Sequence, residues 1–233
     1  FVISQAFRAF HVKPRVESIG QPADGGRGLA EGLAELCPEV EKETRECWEK
    51  SLSDFAGLLG RWSQRVNLIS RVDRPQIVQK HLLPSLALRP AIIRRFASRG
   101  RILDVGSGSG CPGIPLHITL PDAEMALVES RRKRVSFLRE AIRQLSFTGV
   151  EVVHSRLENW PAAADWDVVV TRAMMALPNL RLLVAPFLRP GGVIITTAAS
   201  GDQVSGEGLL GDELVNGSWG ERRVVTVQPI YQR

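Results

Sequence analysis

The chain has 233 residues, of which 44% are hydrophobic, and carries a formal net charge of +5 with a pI near 9.6. Its length suffices for one α/β domain of about 150 residues plus an added segment. No run of about 18 uncharged apolar residues occurs, and the first ten residues lack the long apolar region of a signal peptide. We therefore expect a soluble cytoplasmic protein without membrane contact, and we take it to be a monomer.

Cysteine and histidine spacing argues against a metal centre. Cys37, Cys47 and Cys111 show no C-x-x-C spacing, and the four histidines are equally dispersed. We expect neither a disulfide framework nor a metal site.

The amino-terminal part divides into two predicted segments. Residues 1–37 combine scattered basic residues with the glycine-rich stretch from Gly20 to Gly32, a composition that predicts a largely disordered arm. Residues 38–98 are predicted to be helical. A first helix is expected from about Val40 to Arg65, and a second from Gln76 to Leu88, which Pro84 would break or kink.

From residue 99 to residue 233, short β-branched runs alternate with helical stretches, which is typical of βαβ units and a parallel sheet. The predicted strands are Ile102–Val105, Met125–Glu129, Val150–His154, Val168–Thr171, Val193–Thr197 and, less regularly, Arg223–Val227. The predicted helices are Gly113–Leu120, Lys133–Leu145 and Asn179–Phe187. Pro190-Gly191-Gly192 is expected to turn into the fifth strand, and the glycine-rich residues 201–220 are expected to form a long loop.

A glycine cluster follows the first predicted strand and indicates a loop that binds an adenosine cofactor. Gly106, Gly108 and Gly110 permit positive φ angles and a close approach of a ligand to the backbone. Gly108-x-Gly110-x-x-Gly113 also fits the dinucleotide pattern, so the glycines alone do not choose between NAD and S-adenosylmethionine. Asp104, at the end of the strand, favours S-adenosylmethionine, because an acidic residue before G-x-G-x-G looks like the first motif of Rossmann-like methyltransferases.

Glu129 is the predicted partner of the cofactor's ribose. It ends the second predicted strand, 23 residues after Gly106, close to the distance at which an acid binds the ribose hydroxyls. Two hydroxyls facing one carboxylate form charge-assisted hydrogen bonds. Arg131 and Arg132 follow soon after and keep an NADP-binding alternative open.

The loops after the third and fourth strands are expected to complete the site at the same edge of the sheet. Leu157 is placed to pack on the adenine ring, while Glu158 either borders the ring or caps a helix. Arg172 follows the fourth predicted strand, and residues at this position normally face the methyl group that is transferred. It could orient a guanine, bind a phosphate or form a structural salt bridge.

The acceptor atom is inferred from what the chain lacks. No Asp/Asn-Pro-Pro-aromatic tetrapeptide, typical of exocyclic amine methylation, follows the fourth strand, and the only cysteine near the site, Cys111, is expected to pack against the cofactor. Guanine N7 fits because its lone pair attacks a sulfonium methyl without losing a proton. Catalysis then needs alignment and tolerance of charge, with no general base.

One predicted helix carries a basic face. Its apolar stripe, Val135, Leu138, Ile142 and Leu145, is separate from a row of cations. Either this row is an ordinary solvated face or it binds a polyanion. The candidate RNA-binding residues are Arg131, Arg132, Lys133, Arg134, Arg139 and Arg143.

Several motifs in order resemble the bacterial ribosomal RNA small-subunit methyltransferase G family, also called GidB, from about Leu36 to the fifth strand. The matching runs are Arg61 to Leu68, His81-Leu82-Leu83 with Ser85-Leu86, Leu103 to Leu116, Ser130 with Lys133-Arg134-Val135, Phe137-Leu138-Arg139, and Thr171-Arg172-Ala173.

The resemblance implies a class I Rossmann-like methyltransferase fold, with a mostly parallel sheet, helices on both faces and an amino-terminal helical cap. It implies S-adenosylmethionine-dependent N7 methylation of one guanine in 16S ribosomal RNA of the small subunit. By motif position it assigns cofactor contacts to Gly106, Cys111, Leu157, Glu158 and Arg172, and the basic helix to RNA.

The chain departs from the family pattern mainly on the expected RNA side. Pro84 stands where aspartate is usual, Cys111 replaces a larger apolar residue, and Thr197 to Gly201 carries no lysine. These departures motivate a second hypothesis, a cofactor-binding ribosome-associated module without turnover. A nicotinamide-dependent oxidoreductase is a third hypothesis, motivated by the alternative glycine spacing.

Overall fold

The computed structural model describes residues 25–96, 99–161, 164–172, 175–198 and 208–230. Its strands are β1 (Arg101–Val105), β2 (Glu124–Glu129), β3 (Val150–His154), β4 (Trp166–Arg172), β5 (Leu188–Ala198), β6 (Leu209–Gly217) and β7 (Gly220–Val227). They form one seven-stranded sheet in the order β3-β2-β1-β4-β5-β7-β6, in which the first five strands are parallel and β7 is antiparallel to both of its neighbours. The predicted mostly parallel α/β sheet is confirmed.

Helices cover both faces of this sheet. They are α1 (Gly25–Leu36), α2 (Lys42–Trp62), α3 (Leu83–Leu86), α4 (Arg89–Phe96), α5 (Gly113–Thr119), α6 (Arg132–Gln144) and α7 (Leu177–Val184). One buried cluster joins the amino-terminal helices, α5 and α6 to one face of the sheet, and a second joins α7 to the other face. In the part of the chain that is described, no helix combines the length and apolar character needed to cross a membrane.

The central strands are apolar without alternation because they are covered on both sides. Val168, Val169 and Val170 of β4 are all fully buried, and successive residues of a strand point to opposite faces. Strands β1 and β4 are neighbours in the sheet. The chain continues from β1 to β2 on one side of this pair, and from β4 to β5 on the other side. The strand order therefore reverses between them, and the carboxyl ends of these two strands flank the crevice where open α/β sheets bind ligands.

The predicted disordered arm is wrong for residues 25–37. These residues begin with α1, whose Leu29, Leu33 and Leu36 repeat at helical spacing and are buried against the other amino-terminal helices. Gly32 is a packing site, since a Cβ atom there would lie 2.6 Å from two methyl carbons of Leu83. The glycine at position 32 thus allows α1 and α3 to pack closely. The rest of the predicted arm, residues 1–24, lies outside the described residues.

The predicted loop over residues 201–220 is also wrong where the structure describes it. Residues Leu209–Gly217 form edge strand β6, which pairs with β7 along its length. Its exposed and half-buried residues alternate, and Asp212 pairs with Arg223 across the two strands. The sequence of β6 does not show a clear alternation of apolar and polar residues, because it contains glycines and charged residues. An edge strand that is covered on one face needs few large apolar residues.

The single helix expected from Gln76 to Leu88 is instead a succession of short turns. A 3₁₀ turn at Arg74–Gln76 leads into a π-helical turn at Val78–Leu82 and then into α3. Pro84 is buried as the second residue of α3. Proline is tolerated there because an N–H group in the first turn has no acceptor within the helix. Pro190-Gly191-Gly192 also differs from its prediction, since it lies inside β5.

Candidate active site

The loop after β1 has the backbone conformation that its glycines predict. Gly106, Gly108 and Gly110 adopt φ angles of +72°, +51° and +78°, which residues other than glycine rarely adopt. The N–H groups of Gly106 and Ser107 both donate to the carbonyl oxygen of Val128, at 2.9 and 3.0 Å. These bonds fix the loop to the end of β2.

Asp104 stands behind this loop, fully buried. Its Oδ2 accepts the backbone N–H of Gly113 at 3.0 Å, whereas its Oδ1 has no hydrogen-bond partner among the described residues. A Cβ atom at Gly113 would lie 2.6 Å from this Oδ2, so glycine is required for the contact. Burial raises the pKa of Asp104 to about 7, against the opposing effects of the Gly113 N–H, the nearby Ser107 hydroxyl and the Arg172 cation.

Glu129 ends β2 as a buried carboxylate tied to the backbone of two loops. Its Oε2 accepts the N–H of Gly108 at 3.0 Å, and its Oε1 accepts the N–H of Arg131 at 2.7 Å. Arg134 Nη1 lies 3.7 Å from Oε2. Each carboxylate oxygen has two lone pairs, so these contacts leave acceptor capacity on both oxygens.

A cavity of about 230 Å³ opens at this edge of the sheet. Of the predicted cofactor residues, the structure brings Gly106, Glu129, Leu157 and Glu158 together in its wall. Leu157 is buried in a 3₁₀ turn after β3, whereas Glu158 is exposed. The remaining predicted contacts, Asp104, Gly108, Gly110, Cys111 and Arg172, do not line this cavity.

Seven of the cavity's eleven wall residues were not predicted as site residues from the sequence, and two of these seven come from beyond β4. Met175 and Leu183 belong to the segment after β4, and Met175 is 40% exposed. Their place in the wall follows from the packing of α7 on this face, and no sequence motif marks them.

Cys111 lies in the buried core beside α5. Burial raises the pKa of its thiol, against the opposing effect of the Arg172 cation, so the side chain is a protonated thiol at neutral pH. A protonated, buried thiol is a poor nucleophile.

Arg172 ends β4 and is half-buried at the same edge as Asp104. Its Nη1 donates to the carbonyl oxygens of Lys80 and His81, at 3.4 and 3.3 Å, and its Nη2 lies 3.1 Å from His81 Nδ1. None of these partners is a carboxylate, so these contacts differ from the structural salt bridge considered above.

The six candidate RNA-binding residues, Arg131 and five residues of α6, divide into two groups. Arg134 turns inward to Glu129 and to the carbonyl oxygen of Asn67, and Arg143 pairs with Glu140. The other four, which are exposed, have no ion pair with any described residue: Arg131, Arg132, Lys133 and Arg139. Among the described residues, no group of three or more side chains is arranged to hold a metal ion.

Comparison with solved structures supports the fold. A putative S-adenosyl-L-methionine-dependent methyltransferase from Methanococcus maripaludis superposes with a TM-score of 0.50 at 15% identity, covering 68% of this chain and 91% of that one. MtNAS in complex with S-adenosylmethionine superposes with a TM-score of 0.52 at 16% identity, covering 86% of this chain and 83% of that one. At these identities the likeness shows the fold alone.

Sequence comparison identifies the family. The family profile described as rRNA small subunit methyltransferase G, GidB, matches residues 48–208. The ribosomal RNA small subunit methyltransferase G of Stenotrophomonas maltophilia (strain R551-3) is 38% identical over 75% of this chain and 77% of its own length. That of Geobacter sp. (strain M21) is 37% identical over 72% and 74%. The chain therefore belongs to the ribosomal RNA small subunit methyltransferase G family.

Proposed function

We propose that this chain transfers a methyl group from S-adenosylmethionine to N7 of one guanine in 16S ribosomal RNA of the small subunit. The main support for this proposal is that the chain belongs to the family. The crevice between β1 and β4 is the expected binding site for the cofactor. The oxidoreductase and the module without turnover, the two alternatives from the sequence, gain no support from the relatives. We further propose that the chain acts as a monomer in the cytoplasm, where small subunits are found.

The residues at this edge fit the proposed cofactor. Glu129 has acceptor capacity toward the cavity for the ribose hydroxyls, and Leu157 offers an apolar surface for adenine, with Glu158 at its border. Asp104 Oδ1, buried and unpartnered among the described residues, suits the cationic methionine end. S-adenosylmethionine supplies an electrophilic methyl group on a positively charged sulfur.

The chemistry requires little of the protein beyond alignment. The N7 lone pair of guanine forms the new N–C bond as the methyl–sulfur bond breaks, and the electron pair of that bond goes to sulfur. The guanine gains the positive charge, and no proton moves. The absence of a thiolate at Cys111 is consistent with this lone-pair acceptor.

Arg172 is the side chain we assign to the acceptor. Its three contacts with Lys80 and His81 use at most three of the five guanidinium N–H donors. At least two donors remain to bind guanine O6 or a neighbouring phosphate. The exposed cations of α6 would then hold the strand while the target base leaves its stack.

Transfer of radiolabelled methyl groups to small subunits that lack the modification tests the proposal. We expect label in 16S RNA at N7 of one guanine, and a roughly tenfold or greater loss of cofactor affinity in Glu129→Ala, since a buried charge-assisted contact is removed. Glu124→Ala is the matched control, because Glu124 begins the same strand at the opposite edge of the sheet. Its affinity should change less than twofold. Wild-type protein that binds the cofactor but leaves 16S RNA unlabelled, beside an active relative, would overturn the proposal.

A further inference from the structure

Arg172 is held from one side by the π-helical turn Val78–Leu82 of the amino-terminal helical part. The three contacts of Arg172 given above are all with two consecutive residues of that turn: the backbone oxygens of Lys80 and His81 and the ring of His81. π-helical turns are uncommon and often occur at functional sites. Here the turn brings a ring nitrogen and two carbonyl oxygens toward one guanidinium.

The His81 ring is itself held in a defined tautomer. Because an arginine only donates, Nδ1 must accept from Nη2, and the neutral ring then carries its proton on Nε2. Nε2 lies 3.7 Å from Oδ2 of Asp73, and that carboxylate accepts the hydroxyl of Ser70 at 2.7 Å. His81 as a whole is only 9% exposed, and the Ser85 hydroxyl donates to the His81 carbonyl oxygen.

The neutral form of His81 persists over the physiological pH range. Burial and the Arg172 cation lower the pKa of His81 to about 4, and the Asp73 carboxylate opposes this shift only in part. Among the described residues, Arg172 and Asp73 are the charged side chains that shift the pKa of His81. The acceptor at Nδ1 is therefore available at every pH at which the protein would work.

We propose that His81 is a positioning residue, whose Nδ1 and carbonyl oxygen hold the guanidinium of Arg172 at the carboxyl edge of the sheet, where the acceptor guanine must lie. The inference rests on the proposed function for the identity of that acceptor. The contact also couples the amino-terminal helical part to the reaction, since His81 belongs to that part and Arg172 to β4. Without Nδ1, the guanidinium loses its fixed orientation and the alignment of the base becomes less exact.

Two substitutions separate positioning from packing. His81→Phe keeps a buried ring and removes the acceptor, whereas His81→Asn keeps an acceptor near the Nδ1 position and loses ring volume. We expect His81→Phe to lower kcat roughly ten- to hundredfold and to change the KM for S-adenosylmethionine by a smaller factor. His81→Asn should retain more activity than His81→Phe although it is the less stable protein. The reverse order would overturn the proposal.

His117→Phe is the matched control. His117 is another buried histidine whose pKa burial lowers to about 4, and its ring packs edge-on to Phe147, away from Arg172. Loss of a buried imidazole alone should leave kcat within about twofold. A loss as large as that of His81→Phe would show that both histidines act through stability.

A spectroscopic measurement tests the contact without methyl transfer, so its result is independent of the proposed function. In the nitrogen NMR spectrum we expect the Nε2–H tautomer of His81, which titrates near pH 4. In Arg172→Met its pKa should rise by one unit or more, because the neighbouring cation is removed. An unchanged titration would mean that the two side chains do not interact, and would overturn the inference even if the wild type methylates RNA.

Discussion

At the scale of single residues, the site contains two carboxylates in different surroundings. Glu129 is bound by two backbone N–H groups and borders the cavity, whereas Asp104 accepts one N–H and has an unpartnered oxygen among the described residues. Burial without full pairing favours the protonated acid, which accounts for the raised pKa of Asp104. A cation that binds beside Asp104 would reverse this preference.

Cofactor binding should consequently depend on pH through Asp104. The free protein holds a proton on this group up to about pH 7, and a cationic ligand favours the carboxylate. The Kd for S-adenosylmethionine should therefore fall by up to about tenfold per pH unit as pH rises from 5.5 to 7, and level off above pH 7. Calorimetry across this range measures the effect.

Asp104→Asn is the control for this prediction. The variant should bind more weakly at pH 8 and show no such pH dependence. Its stability should also respond differently to pH. The raised pKa makes the free wild type less stable as pH rises from about 4 to about 7, because the unfolded chain releases this proton at lower pH. A Kd that is flat with pH in the wild type would show that Asp104 does not face a cation.

At the scale of elements, the amino-terminal helices are part of the same core as the sheet. Phe55 and Trp62 of α2 contact Phe137 of α6, with ring centroids 6.3 and 5.7 Å apart. Helix α1 extends this core and also reaches the β6–β7 turn, where Glu35 accepts the N–H of Ser218 at 2.9 Å. The amino-terminal part is therefore packed into the fold along more than one surface.

We predict that the buried face of α1 contributes to global stability. Leu33 is fully buried, so Leu33→Ala should lower the free energy of unfolding by about 2–5 kcal/mol, through lost burial and the cavity left behind. Glu31→Ala, on the exposed side of the same helix, should change it by less than about 0.5 kcal/mol. Denaturant unfolding measures both, and equally small effects would indicate that α1 is not docked in solution.

At the scale of the whole molecule, the two ends of the parallel strands differ in what they present. The carboxyl edge carries the cavity, Asp104, Glu129 and Arg172, together with the start of α6 and its exposed cations. At the amino edge, Arg101 is paired with Glu124 and Asp165. A polyanion is therefore expected to bind at the edge where we propose that the methyl group is transferred.

Charge reversal at the two edges should have unequal effects on RNA binding. Arg132→Glu with Arg139→Glu should weaken binding to the small subunit and reduce the slope of log K against log salt by about one for each lost phosphate contact. The Kd for S-adenosylmethionine should stay within about twofold. Arg99, which is exposed before β1 at the opposite edge, provides the control Arg99→Glu, which is compared with Arg132→Glu alone so that the change in net charge is equal. A similar loss in that variant would show that net charge, and not the α6 surface, governs binding.

The sequence by itself determined the parallel strands of the sheet, the glycine loop and the family. Local signals suffice for these, since β-branched runs, glycines with positive φ and a carboxylate at a strand end depend on short stretches of chain. The structure has the predicted bounds for Val150–His154, and the other parallel strands are longer than predicted by one to six residues. The pairing of Glu129 with the glycine loop likewise follows from the adjacency of β1 and β2.

Only the tertiary structure decided the features that depend on contacts between distant segments. In the sequence, Gly32 contributes to a prediction of disorder, whereas in the structure Leu83 occupies the space that a side chain at position 32 would need. Strand β6 is defined by its pairing with β7. The contact between His81 and Arg172 joins residues 91 positions apart, one from a π-helical turn and one from a strand end. No local pattern encodes such a contact, because its distance and direction are set by how the helices pack on the sheet.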